Sequence, residues 1–123
     1  RTWAIDKRVL NISSGAGRRP IAGWSAYSAA KAGLDQFSRV TALDEPHRPN
    51  PARIVSLAPG VIDTDMQSQL RAADPAGFPD QANFIGMKAS GQLPTPEAAA
   101  ARVLAYLARA DFGTQPVADV RDA

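Results

Sequence analysis

The chain has no cysteine and only one histidine among its 123 residues. Disulfides and thiolate chemistry are therefore excluded, and a dedicated zinc site is not expected. It also lacks any apolar run near the roughly 20 residues that a membrane-spanning helix needs, and no leading signal peptide is visible. A membrane partner is not expected, and a cytoplasmic location is. Concentrated charge is missing as well. The net charge is +2 and the pI about 9.4, yet the basic residues are scattered, with no run longer than the pairs Lys7-Arg8 and Arg18-Arg19, so no nucleic-acid partner is expected. What is present, 45% apolar residues over this length, suits one soluble domain or part of one.

The apolar pattern predicts an α/β order. A strand is expected at about 8 to 13, a helix at about 25 to 43 and a second strand at about 52 to 58. A long loop with short helical pieces then runs to about 94, followed by a helix at about 95 to 110 and a short strand near 116 to 120. Thr95-Pro96-Glu97 reads as a helix start, with Thr95 as cap and Val103, Leu104 and Leu107 as the buried face. Pro46, Pro49 and Pro51 break the first helix and carry His47 on the connector. No serine elbow accompanies that histidine, because Gly23-Trp24-Ser25-Ala26-Tyr27 departs from G-x-S-x-G at its last position. A hydrolase triad is a poor fit, and His47 reads as a solvated loop residue.

Three features carry chemistry. Tyr27 and Lys31 stand four apart on the first predicted helix, which stacks a phenol and an ammonium on one face with Leu34 and Ser38. A neighbouring positive charge favours a phenolate, so such a pair suits proton donation, although the same spacing also occurs on ordinary surface helices. Upstream, Arg8-Val9-Leu10-Asn11-Ile12 reads as a buried strand ending at Ser13 and Ser14, with Ser14 thirteen residues before Tyr27. Ligands of open α/β sheets gather at strand carboxyl ends, so a hydroxyl and the phenol can converge there. Downstream, Pro59-Gly60 ends a second buried strand with a turn that lets backbone approach a ligand, and Asp63 or Thr64 can cap a following helix.

In this order and spacing, NISSGAG, YSAAKAG and APGVIDTDM resemble the short-chain dehydrogenase/reductase family. GWSAYSAAKAG, ALDEP and the ending DFGTQPVADVRD are similar to its sepiapterin reductase and benzil reductase branch. The resemblance implies NAD(P)H-dependent reduction of a small-molecule carbonyl, such as a sepiapterin-like pterin or a diketone. Ser14, Tyr27 and Lys31 are the implied catalytic residues. Ser14 holds the carbonyl oxygen, Tyr27 gives the proton, and Lys31 tunes the phenol and holds the nicotinamide ribose. The cofactor is NADP, with NAD also admitted. Its implied contacts are Tyr27, Lys31, Pro59, Gly60, Ile62, Asp63, Thr64, Asp65, Met66 and Gln67. Substrate would meet Ser14, Gly15, Tyr27, Gly60 and Asp119, with Asp122 an alternative to Asp119. Phe78, Phe84, Ile85 and Met87 are candidate walls of a substrate loop spanning about 72 to 93.

The family's opening strand, glycine-rich turn and helix find no counterpart. Gly15-Ala16-Gly17-Arg18-Arg19-Pro20 ends in proline where G-x-G-x-x-G needs glycine, and the first residue is Arg1. The expectation is therefore a carboxyl-terminal half: residues 1–123 as a partial domain of a doubly wound, Rossmann-like α/β fold lacking the N-terminal glycine-rich βαβ unit. A homo-oligomer is expected for the complete protein. The alternative reading is a catalytically inactive or dimerising remnant.

Overall fold

The computed structural model describes residues 6–60 and 94–122. Strand β1 (Lys7–Ile12), helix α1 (Ser25–Asp44), strand β2 (Ala52–Ala58), helix α2 (Pro96–Leu107) and strand β3 (Val117–Asp119) follow in chain order, with single 3-10 turns at Gly15–Gly17, Glu45–His47 and Val120–Asp122. The strands form one parallel sheet in the order β1-β2-β3. Lys7 pairs with Ala52 through to Ile12 with Leu57, and Ser56 to Ala58 pair with Val117 to Asp119.

β2 is buried from Ile54 to Ala58 because both faces of the central strand are covered, as its unbroken apolar run requires. Val55 and Leu57 point into a core with Phe112 and Val120, against which Val103, Tyr106 and Leu107 of α2 pack. Between them Ser56 points the other way, to Asp35 of α1. The two helices therefore lie on opposite faces of the sheet, and strand alternation aims Val55 and Leu57 at α2 and Ser56, flanked by the buried Ile54 and Ala58, at α1.

The expected carboxyl-terminal-only fold, lacking the N-terminal βαβ unit, is corrected by this topology. The described chain opens with a β1–α1 unit over residues 7–44, and α1 leads into β2, which pairs parallel to β1. The glycine fingerprint is absent from residues 15–20, but its absence does not bear on strand–helix–strand pairing. Strand–helix–strand pairing depends instead on apolar strands and a helix that covers them, which this segment supplies.

Local chemistry explains the remaining boundaries. Thr95 Oγ1 accepts from the Ala98 amide at 3.2 Å, so the expected cap forms. α2 ends at Leu107 rather than near 110, and the Arg8 guanidinium takes the carbonyls of Leu107 and Arg109 at 2.5 and 2.8 Å. The Leu107 oxygen belongs to the helix end, whose last carbonyls lack an intrahelical partner, and a cation suits that end of the dipole; the Arg109 oxygen, just beyond it, also accepts from the Phe112 amide at 3.1 Å. Leu104, expected to be buried, is 62% exposed, while Val103, Tyr106 and Leu107 face the core. β3 stops at Asp119 because Asp119 Oδ1 accepts from the Arg121 amide at 2.9 Å and starts a 3-10 turn. Glu45 clasps the proline-rich connector, accepting from the Ala52 amide at 3.0 Å and pairing with Arg48 at 2.8 Å. His47 is exposed on that connector.

Candidate active site

The carboxyl end of β1 carries the first site residues. Ser13 extends the ladder by donating its amide to the Leu57 carbonyl at 2.8 Å. Ser14 is extended (φ −157°, ψ 149°), and its Oγ accepts from the Ala16 amide at 3.2 Å, capping the turn at Gly15–Gly17. Gly17 lies against α1. A Cβ there would stand 2.8 Å from the Ala32 nitrogen and 2.8 Å from the Lys31 carbonyl carbon, so only glycine lets the turn approach the helix this closely.

Tyr27 and Lys31 occupy the first two turns of α1. The Lys31 ammonium lies 5.7 Å from the centre of the Tyr27 ring and donates to the Ile12 carbonyl at 2.9 Å. The Trp24 and Tyr27 rings meet edge to face, with centres 5.5 Å apart at 83°. One ammonium thus ties the Tyr27 helix to the strand end that leads into Ser14. Among the described residues the hydroxyls of Ser14 and Tyr27 are not hydrogen-bonded to each other.

Gly15 is half-buried, with open space where a Cβ would stand. Pro59 and Gly60 follow β2 at the same end of the sheet. Gly60 has φ +81°, a left-handed conformation that favours glycine, and the Arg121 side chain lies 3.6 Å from where its Cβ would be. Asp119, at the carboxyl end of β3, is held side-on by Arg121 through contacts of 2.9 and 2.6 Å. That guanidinium, chiefly through its hydrogen bonds, keeps the Asp119 carboxyl below its ordinary value against the opposing effect of burial. A substrate cation at Asp119 would have to displace Arg121. Ile62, Asp63, Thr64, Asp65, Met66 and Gln67 lie outside the described residues, as do Phe78, Phe84, Ile85 and Met87.

A buried polar cluster behind Ser14 was not anticipated from the sequence. Asp35 is 2% exposed. Its Oδ1 accepts from Ser13 Oγ at 2.6 Å, from Ser56 Oγ at 2.7 Å and from Arg18 Nη2 at 3.3 Å, and its Oδ2 from Arg18 Nε at 3.2 Å. Arg18 also reaches the carbonyls of Ala118 and Ser56 at 2.5 and 3.0 Å. Burial opposes ionisation of Asp35, but the bonds from Arg18, Ser13 and Ser56 outweigh it and hold its carboxyl below the ordinary value. A signal existed in the sequence. Asp35 falls four residues after Lys31 and three before Ser38, on the strip that faces the sheet, whereas Arg18 read only as half of a basic pair.

The model for the family described as short chain dehydrogenase matches residues 6–75, more than half of the chain. The chain belongs to the short-chain dehydrogenase family. The expectation that the resemblance is to a carboxyl-terminal half is corrected here, because the family match begins at residue 6 and occupies the first part of this chain. Among its relatives, a benzil reductase ((S)-benzoin forming) of Bacillus cereus is 42% identical over 91% of this chain and 45% of the relative. A sepiapterin reductase of Meriones unguiculatus is 33% identical over 96% of this chain and 43% of the relative. The crystal structure of a short-chain dehydrogenase/reductase from Saccharomyces cerevisiae superposes with a TM-score of 0.75 at 26% identity, covering 94% of this chain and 46% of that one. The chain therefore spans about half the length of the curated relatives it matches.

A nicotinamide cofactor is the group this family implies, and the donor set at the strand ends fits its ribose. An ammonium carries three donors, and Lys31 uses one of them on Ile12, so the others remain for vicinal hydroxyls. Among the described residues no group of three or more His, Asp or Glu is arranged to hold a metal ion. No described helix is long and apolar enough to cross a membrane.

Proposed function

We propose that this short-chain dehydrogenase reduces the carbonyl of a small molecule with NADPH or NADH, using Tyr27 as proton donor. The observation that carries the reading is the position of the Lys31 ammonium, 5.7 Å from the Tyr27 ring and bonded to the Ile12 carbonyl two residues before Ser14. The nicotinamide, when bound, supplies hydride to the carbonyl carbon. The Tyr27 hydroxyl gives its proton to the carbonyl oxygen, and Ser14 Oγ donates a hydrogen bond to that oxygen as negative charge develops there. Ser14 must release the Ala16 amide or share its oxygen with it, which a hydroxyl allows by donating and accepting at once. Lys31 holds the ribose hydroxyls with its remaining donors and keeps positive charge beside the phenol.

The names of the relatives favour a diketone or a pterin as substrate. Pro59 and Gly60, with Ile62 to Gln67, are assigned to the nicotinamide end of the cofactor, and Gly15, Gly60 and Asp119 to the substrate. Titration of NADPH into the 123-residue chain with benzil present tests the reading. Saturable binding with benzil-dependent oxidation is expected, and a folded chain that binds no NADPH would overturn it.

A further inference from the structure

Ser13 and Arg18 bracket the turn that holds Ser14 and Gly15, and both end on the same carboxylate. Ser13 Oγ lies 2.6 Å from Asp35 Oδ1, and Arg18 reaches both oxygens of Asp35 while its amide closes the turn on the Gly15 carbonyl at 3.0 Å. Asp35 stands one helical turn beyond Lys31 and two beyond Tyr27, on the face of α1 that meets the sheet. Ser56 fixes β2 to the same oxygen, and Arg18 carries the connection to β3 through Ala118.

A buried ion pair is a weak source of net stability, since desolvation offsets its Coulombic gain and apolar residues of similar volume often serve as well. Fixed geometry is what this arrangement adds. Misplacement of a reacting group by about 1 Å can cost about a hundredfold in rate. We propose that Asp35 is a positioning residue: its carboxylate brackets the turn from Ser13 to Arg18 and so sets Ser14 against Tyr27 and Lys31 for carbonyl reduction. The proposal rests on the assignment of those three residues to the reaction.

Ser13→Ala and Asp35→Asn in the 123-residue chain, with Tyr27→Phe as control, test it by NADPH oxidation with benzil. Asparagine keeps an acceptor for the two serines but turns a donor toward Arg18 Nε, so both variants loosen the bracket in different ways. A fall in kcat of about tenfold in Ser13→Ala, and more in Asp35→Asn, is expected with KM for NADPH within about twofold, because Lys31 is untouched. Wild-type kcat in both folded variants beside an inactive Tyr27→Phe overturns the positioning role and leaves the proton donor standing. An active Tyr27→Phe removes the proton donor and with it the purpose of the bracket. Amide exchange reads the bracket without turnover: in Ser13→Ala the amides of Gly17 and Arg18 should lose about tenfold more protection than those of Val55 and Leu57. Equal loss in the turn and in β2 would mean a merely structural role and overturn the proposal.

Discussion

At the scale of the residue, Lys31 and Asp35 illustrate two uses of charge on one helix face. Lys31 remains at the surface, with donors to spare for a ligand. Asp35 is enclosed, and its charge is satisfied within the chain by two hydroxyls and a guanidinium. Removing one partner of a buried pair leaves the other charge uncompensated, so Asp35→Leu should cost about 3–5 kcal/mol in a urea unfolding experiment. Replacing Asp35 and Arg18 together by apolar residues should cost less than either single change. The pH dependence follows from the direction of the Asp35 shift. Its carboxyl is held below the ordinary value, so its contribution is complete above the unfolded value of about 3.9 and is lost as pH falls through the lower folded value. Wild-type stability should decline below about pH 4 more steeply than that of Asp35→Asn, measured by thermal unfolding across that range.

At the scale of the element, α1 is located by contacts at its start and middle rather than by its cap. Trp24 provides no side-chain cap, yet the Gly17 turn presses on the helix at Lys31 and Asn11 Nδ2 donates to Ser38 Oγ at 3.1 Å. Gly17→Ala would force the turn off the helix by a few tenths of an ångström or more. A loss of about 1–3 kcal/mol is expected from such overpacking, visible as a lower urea midpoint. The strands and helices were legible in the sequence because Arg53-Ile54-Val55-Ser56-Leu57-Ala58 is a nearly continuous apolar run and the Tyr27–Ser38 strip keeps a helical period. The Tyr27–Lys31 pair was legible for the same reason, as both partners lie within one helical turn. The Asp35 cluster was not, because Ser13, Arg18 and Ser56 lie 17 to 22 residues away and meet only when the sheet and helix pack. Nor was the hold of Arg8 on the end of α2, which joins residues about a hundred positions apart.

At the scale of the whole molecule, parallel pairing brings the carboxyl ends of all three strands to one edge, where Ser14, Gly60 and Asp119 follow or end their strands. The α1 face turned from the sheet carries Phe37, Val40 and Leu43, at 61, 47 and 73% exposure. The role of the phenol is tested most directly by single-turnover oxidation of NADPH by benzil in Tyr27→Phe beside the wild-type chain. A loss of at least about a hundredfold in rate with NADPH affinity retained is predicted, since the ring persists and only the transferable proton is gone. A near-normal rate in that variant would show that Tyr27 is not the proton donor.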